Sequence, residues 1–502
     1  MDRKIPHVMG TQHPDNAGAP FFNTDNDPFI SAYYENREAF FNFADLEVDE
    51  YMWDWEGKNA DASVIDRLYS SGFEYFQKHP LGEDKFLTFR FPNIWEENDY
   101  SLMQAMVTML YAEDFAQDLG FSSRPLFEAI LPMTENADQL LEMQKRYAAL
   151  AEFKSTTFSP QHSESRDLMM IPLFESFENQ LNAPQILKEF ISMHQETFHT
   201  DVPYMRVFLA GSDSALSDGF LNAIIGNKLA LAGLGEFQEE AGIPIYPIAG
   251  MGSPMFRGGL APEHIDRYLE EFPGLKTATV QSAFRYDNPA PKVKLAIGKL
   301  RYGLARSQFA SIPHADRDIL LSIARKASAH YHTVLDPLIQ DLQPVFDAFP
   351  KRRDRHQHVG IHGYSRQVDG FSMPRAINFT GSFYSIGIPP EFLGIGATLH
   401  DLTSTEMRVL QEYYPNIRDD FAVTARWVSK HALECLIRQN ESWERVATDV
   451  LQTQSALAIE LGPQTYNEQQ HAELAADVVN ITDKVTKTQL IERMGLLRHF
   501  LG

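Results

Sequence analysis

A single cysteine, Cys435, stands among 502 residues. One thiol allows no disulfide within the chain and no cysteine cage for a metal. Set in the helix-like run WVSKHALECLIRQ, Cys435 reads as a small buried apolar side chain. Basic residues are also scarce: 44 lysines and arginines face 68 aspartates and glutamates, a net charge of −24. So acidic a surface argues against nucleic acid or an anionic membrane as partner. A small anionic substrate remains possible but needs a local nest of arginines. No apolar run approaches the roughly 20 residues of a membrane-spanning helix. The opening MDRKIPHVMG lacks the apolar core of a secretion signal. The cytoplasm is the expected compartment. No low-complexity tract, fixed-period repeat or linker interrupts the chain, which reads as one domain over 1–502.

What is present is an alternation. Short apolar or β-branched runs occur at KFLTFRF (85–91), LFEAILPM (126–133), LMMIPLFE (168–175), YMRVFLAGSD (204–213), IPIYPIAG (243–250), TATVQSAFR (277–285), HVGIHGYSR (358–366) and AINFTGSFYSIG (376–387). Amphipathic stretches such as NADQLLEMQKRYAALAEF lie between most of them. Strands alternating with helices predict βαβ units and a parallel sheet. Eight candidate strands predict an α/β fold, a (β/α)8 barrel with extra helices, with a doubly wound open sheet as the alternative. The expected layout is an N-terminal loop and helices over 1–84, the barrel over 85–400 with a helical insertion around 286–357, and a helical region over 401–502.

Period-2 reading places polar groups on one strand face. Thr88 and Arg90 share a face, as do Gln281 and Arg285, and His358, His362, Tyr364 and Arg366. Strands covered by helices turn apolar residues outward, so these polar groups point to a polar barrel mouth or to a structural ion pair. Two carboxylates end strands, Glu175 in PLFES and Asp213 in GSDSAL. Such a pair suits a hard divalent cation, although Asp213 taken alone is also an ordinary helix cap. The loop GMGSPMFRGGL (250–260) permits close backbone approach to a ligand, and its Arg257 can clamp an oxyanion. A flexible turn with a surface arginine is the alternative. The loop lacks the lysine of a phosphate-binding P-loop. In MGTQHPDNAG, Pro14 forbids a helix interior and the following Asp and Asn favour a turn. His13 therefore lies in a polar loop.

Together these motifs resemble phosphoenolpyruvate carboxylase. TQHPD is similar to the TAHPT of the large bacterial and plant enzymes, PLFES to PLFET, GSDSAL to YSDSAK, and FRGG to GRGG. WDWEGK, ILPMTEN and PRAINFTGSFYSIGIPPEFLG resemble the short, archaeal-type form, and the resemblance covers nearly the whole chain. It implies carboxylation of phosphoenolpyruvate by bicarbonate to oxaloacetate and phosphate, through carboxyphosphate and the enolate of pyruvate, with Mg²⁺ or Mn²⁺ holding the enolate charge. It implies a homotetramer with small-molecule partners only. By motif, Glu175 and Asp213 would hold the metal and His13 would act as base, its loop closing over the mouth. Arg257 would act catalytically on anionic oxygens and Arg375 would bind substrate phosphate. Strand position adds Arg90, Arg366 and Gln281 as substrate-binding candidates. The chain departs from the large enzymes where their lysine is Leu216, an arginine is Met251 and a histidine is Ala249. Arg206 or Lys228 are candidates to replace the lost cations. The rival activity is a Mg²⁺-dependent C–C lyase of the citrate lyase or aldolase type, which also uses a Glu and an Asp at strand ends.

Overall fold

The computed structural model describes residues 3–58, 60–96, 99–158, 167–353, 367–368 and 371–502. Eight parallel strands close a barrel in sequence order: β1 (Val8–Gly10), β2 (Glu50–Asp54), β3 (Phe86–Arg90), β4 (Glu128–Leu131), β5 (Met169–Phe174), β6 (Met205–Ala210), β7 (Ile245–Gly250) and β8 (Thr277–Val280). β8 returns to β1, with Val8 opposite Ala278.

The period of two explains the wall. In β2, Tyr51 and Trp53 belong to the large apolar core between strands and helices, whereas Met52 joins Met9, Ile130, Ile171, Leu173, Phe208 and Ile248 in a separate interior cluster. Alternate residues of each strand thus fill the barrel, and the others seat the helices.

The helices used below are α1 (Ala32–Ala44), α2 (Val64–Lys78), α3 (Asp99–Asp118), α4 (Ala137–Thr157), α5 (Phe177–Phe198), α6 (Ser212–Asp218), α7 (Phe220–Ala241), α8 (Ile265–Glu271), α9 (Ser282–Tyr286), α10 (Ala290–Arg306), α11 (His314–Leu335), α12 (Ile339–Ala348) and α13 (Ala376–Ser385). Their ends follow capping chemistry. Ser176 accepts from the Asn179 N–H at the start of α5, and Asn136 accepts from Gln139 at the start of α4. Seven more helices run from Ile395 to Arg498.

The barrel expectation holds, with corrections to its strands. β1 and β2 precede residue 85, where the barrel was expected to begin. The last barrel strand ends at Val280, so α10, α11 and α12 follow the barrel rather than interrupt it. The run AINFTGSFYSIG is helix α13, not a strand. Its Ile, Phe, Thr and Tyr have strand-like composition, but α13 is buried along nearly its whole length and shows neither period. Arg285 lies in α9, so it does not share a strand face with Gln281. The run HVGIHGYSR, with His358, His362, Tyr364 and Arg366, lies outside the described residues.

Candidate active site

The C-terminal ends of the strands converge on a charged mouth. Asp54 and Arg90 end neighbouring strands and point inward. Arg90 donates to Asp54 through Nε at 2.9 Å and Nη2 at 2.7 Å, in fork geometry, and Nη2 also meets Glu56 at 2.8 Å. Asp213 sits in the first turn of α6. Burial and the nearby Glu56 carboxylate push its carboxyl above the usual range, while Arg257, Arg90 and Arg375 draw it back down. One carboxylate thus senses three of the arginines expected from sequence. Asp213 is not the cap of α6: that position is Gly211, with no side chain capping. Glu175 likewise leaves capping to Ser176.

Glu175 and Asp213 line one cavity of about 680 Å³, together with Asn93, Trp95, Glu135 and Lys145. The cavity opens over the ends of β3 to β6. Among the described residues, no group of three or more His, Cys, Asp or Glu side chains clusters as a metal cage.

The Gly-rich loop after β7 wraps Arg257. A Cβ at Gly252 would fall 2.8 Å from the Arg257 guanidinium carbon, and Gly258 has φ 107°, open to glycine at little cost. Arg257 is 1% exposed, so it is no surface arginine. Its Nε donates to Ser212 Oγ (3.2 Å), Nη1 to Asp15 Oδ2 (3.1 Å) and to the Gly502 carbonyl (2.7 Å), and Nη2 to Gln281 Oε1. Gln281 therefore serves Arg257, from the cap position of α9. Arg375 occupies the corresponding cap position of α13. Arg366 lies outside the described residues.

His13 lies three residues past the end of β1, so its loop is a barrel β–α loop and not part of a segment that precedes the barrel. His13 Nδ1 is 2.9 Å from Thr11 Oγ1. The loop is pinned on both sides of the histidine. Arg285 donates to the Thr11 carbonyl, and Gln12 Oε1 accepts from Lys58 Nζ at 2.9 Å and from the Asp54 N–H at 3.0 Å. Asp15 Oδ1 accepts from the Ala283 N–H at 2.7 Å. Asp287 accepts the N–H groups of Ala17 and Gly18, both at 2.7 Å. With little positive charge to offset it, burial pushes the Asp287 carboxyl up to about 8.

Neither candidate replacement cation reaches the mouth. Arg206 lies at the opposite end of the barrel on Glu50 and Glu128, and Lys228 is on α7, paired with Glu271. Met251 packs against Gly258. Sequence reading missed Asp15, Asp54 and Glu56 as members of the site. The TQHPD and WDWEGK motifs held them, but their partners lie on other loops.

A closed parallel barrel with two strand-end carboxylates beside clustered arginines defines a barrel enzyme acting on an anionic substrate. The family model for phosphoenolpyruvate carboxylase matches residues 5–502. The phosphoenolpyruvate carboxylase of Oenococcus oeni is 58% identical over 504 residues, covering 100% of this chain and 99% of that protein. That of Leuconostoc mesenteroides is 57% identical over 502 residues, with 100% and 99% covered. That of the archaeon Pyrococcus abyssi is 37% identical over 440 residues, covering 86% of this chain and 90% of that protein. The chain belongs to the phosphoenolpyruvate carboxylase family, in its archaeal-type form. No helix among the described residues is long and apolar enough to cross a membrane.

Proposed function

We propose that this chain joins bicarbonate to phosphoenolpyruvate, giving oxaloacetate and phosphate. The observation that carries the reading is Asp213, which shares a cavity wall with Glu175 while lying in the field of Arg90, Arg257 and Arg375. Full-length likeness to carboxylases favours this over the C–C lyase.

Glu175 and Asp213 would hold Mg²⁺ or Mn²⁺, which when bound offsets negative charge on the substrate's oxygens. The donor set suits such a cation. Two carboxylates open on a cavity with room for water, and the ionised form of a carboxyl pushed up by burial gains from a nearby cation. Bicarbonate attacks the phosphoryl group to give carboxyphosphate and the enolate of pyruvate. Carboxyphosphate then loses phosphate, and the enolate attacks the CO₂ released. Arg375 and Arg257 bind anionic oxygens in fork geometry, with Arg90 and Arg366 completing the substrate side and Gln281 acting on it through Arg257. Arg257 is engaged by Asp15, Ser212, Gln281 and Gly502, so anion binding requires an exchange of partners there. His13 takes the carboxyphosphate proton, its ring oriented by the 2.9 Å contact between Nδ1 and Thr11 Oγ1.

The test is a coupled assay for oxaloacetate from phosphoenolpyruvate, bicarbonate and Mg²⁺, run beside acyl-CoA cleavage. Oxaloacetate in the first alone supports the reading, and its absence there refutes it. The proposal includes a cytoplasmic homotetramer. Tyr100, Met103 and Val107 form an exposed apolar stripe along α3 that supports a subunit contact. Sedimentation of the full chain tests it.

A further inference from the structure

Glu391 lies in the turn Pro390–Phe392, far along the chain from the barrel, and is 1% exposed. Its Oε1 accepts two hydrogen bonds, each of 2.7 Å. One comes from the backbone N–H of Phe256, the residue before Arg257. The other comes from the hydroxyl of Tyr384, on α13, whose cap position is Arg375. The two elements also meet directly: the Phe256 ring is 5.5 Å from that of Phe379, likewise on α13. Glu391 Oε2 is buried and has no hydrogen-bond partner among the described residues. No ion pair with Glu391 is formed among those residues, and burial pushes its carboxyl up to about 7.

A buried carboxylate is costly unless it does something the fold needs. Here one oxygen joins the two short elements that carry Arg257 and Arg375. We infer that Glu391, with Tyr384, is a positioning residue that sets the separation of Arg257 and Arg375 to fit one anionic substrate. The inference rests on the anion-binding role proposed for those arginines. An ordinary core residue would be replaceable by any side chain that keeps the fold, whereas a strut needs its acceptor oxygen in place and affects substrate affinity before turnover.

The experiment compares Glu391→Gln, Glu391→Ala, Tyr384→Phe and Arg375→Ala, each assayed for KM toward phosphoenolpyruvate, for kcat and for thermal unfolding. In Glu391→Gln the amide oxygen still accepts both bonds, so KM should stay within about twofold of wild type. Glu391→Ala should raise KM about tenfold or more, with kcat within about threefold. Tyr384→Phe, which removes one of the two bonds, should raise KM about threefold. If Glu391→Ala does not fold, Glu391→Gln and Tyr384→Phe decide the matter. Wild-type KM in Tyr384→Phe, or a large KM rise in Glu391→Gln, overturns the strut. So does a Glu391→Ala variant that loses kcat at unchanged KM. Arg375→Ala separates the two layers. An unchanged KM there removes the anion-binding role and the strut with it. A raised KM there, beside wild-type KM in Glu391→Ala, overturns the strut alone.

Discussion

The two ends of the barrel are both rich in buried charge, yet they hold it in opposite ways. At the N-terminal end Arg206 lies between Glu50 (2.7 Å) and Glu128 (2.9 Å), and Arg3 reaches Glu128 at 2.6 Å. Thr88 donates to Glu50, and Tyr204 donates to Glu128 at 2.6 Å. Against burial that would raise it, Arg3 and Arg206 hold the Glu128 carboxyl down at about 2. At and around the mouth, beside the paired Arg90, Asp54 and Glu56, four carboxyls go the other way. Asp213 and Asp15 are raised by burial despite neighbouring arginines, Glu391 to about 7 and Asp287 to about 8. The closed end has matched its charges to each other. The mouth holds four carboxyls whose ionised form is poorly compensated, which suits the binding of a cation and an anionic substrate proposed there.

The sharpest way to break this contrast is at the closed end. Arg206→Met leaves Glu50 and Glu128 without their shared cation and should cost about 3–5 kcal/mol of stability. Urea unfolding measures this, and the folded fraction should keep its wild-type kcat. A loss of kcat without loss of stability would erase the distinction between the ends. At the mouth the pattern should invert. Asp213→Asn or Glu175→Gln should lower kcat on the order of a thousandfold, about 4 kcal/mol. Asp213→Asn should unfold no earlier than wild type at pH 8, because it removes a charge that burial disfavours. Near-normal turnover of either variant at limiting Mg²⁺ would remove the metal assignment.

How much of this was legible in sequence follows the same division. Six strands showed as apolar runs because helices cover the barrel's outer face and the interior is also largely apolar. β1 has only three residues, too few for a period, and β2 (EYMWD) mixes acids with aromatics. Without β1, the His13 loop reads as part of an N-terminal segment of loop and helices ahead of the barrel. Glu175 and Asp213 stand out as candidates because each lies within three residues of the C-terminal end of a strand. Asp15, Glu56 and Glu391 were not, because their roles depend on partners far along the chain. The acceptor for the Phe256 N–H lies 135 residues away.

Two smaller effects sharpen the contrast. Arg375→Ala and Arg257→Ala should each weaken phosphoenolpyruvate binding by about 2–5 kcal/mol, read as KM or by direct titration. Unchanged affinity in both would defeat the anion-binding role. Glu391→Gln should change the pH dependence of stability. The wild-type carboxyl holds its proton up to about 7 when folded and gives it up near 4.5 when unfolded, so wild-type stability falls as pH rises through that window. The neutral amide has no such loss. The variant should gain roughly 3 kcal/mol on wild type between pH 4.5 and 7, then keep a constant lead. Parallel stability profiles would show that Glu391 is not held protonated.

The central claim is that His13, on the first β–α loop, is the base acting on carboxyphosphate, and product partitioning in His13→Asn tests it most directly. The first step needs only the two substrates held for attack, so it should survive. The enolate would then be protonated rather than carboxylated. Phosphate release should remain bicarbonate-dependent, pyruvate should appear in place of oxaloacetate, and the melting temperature should hold. Phosphate, pyruvate and oxaloacetate are each measurable by separate coupled reactions, with and without bicarbonate. Oxaloacetate formed at close to the wild-type rate, or all three products falling together with the melting temperature, would contradict the account.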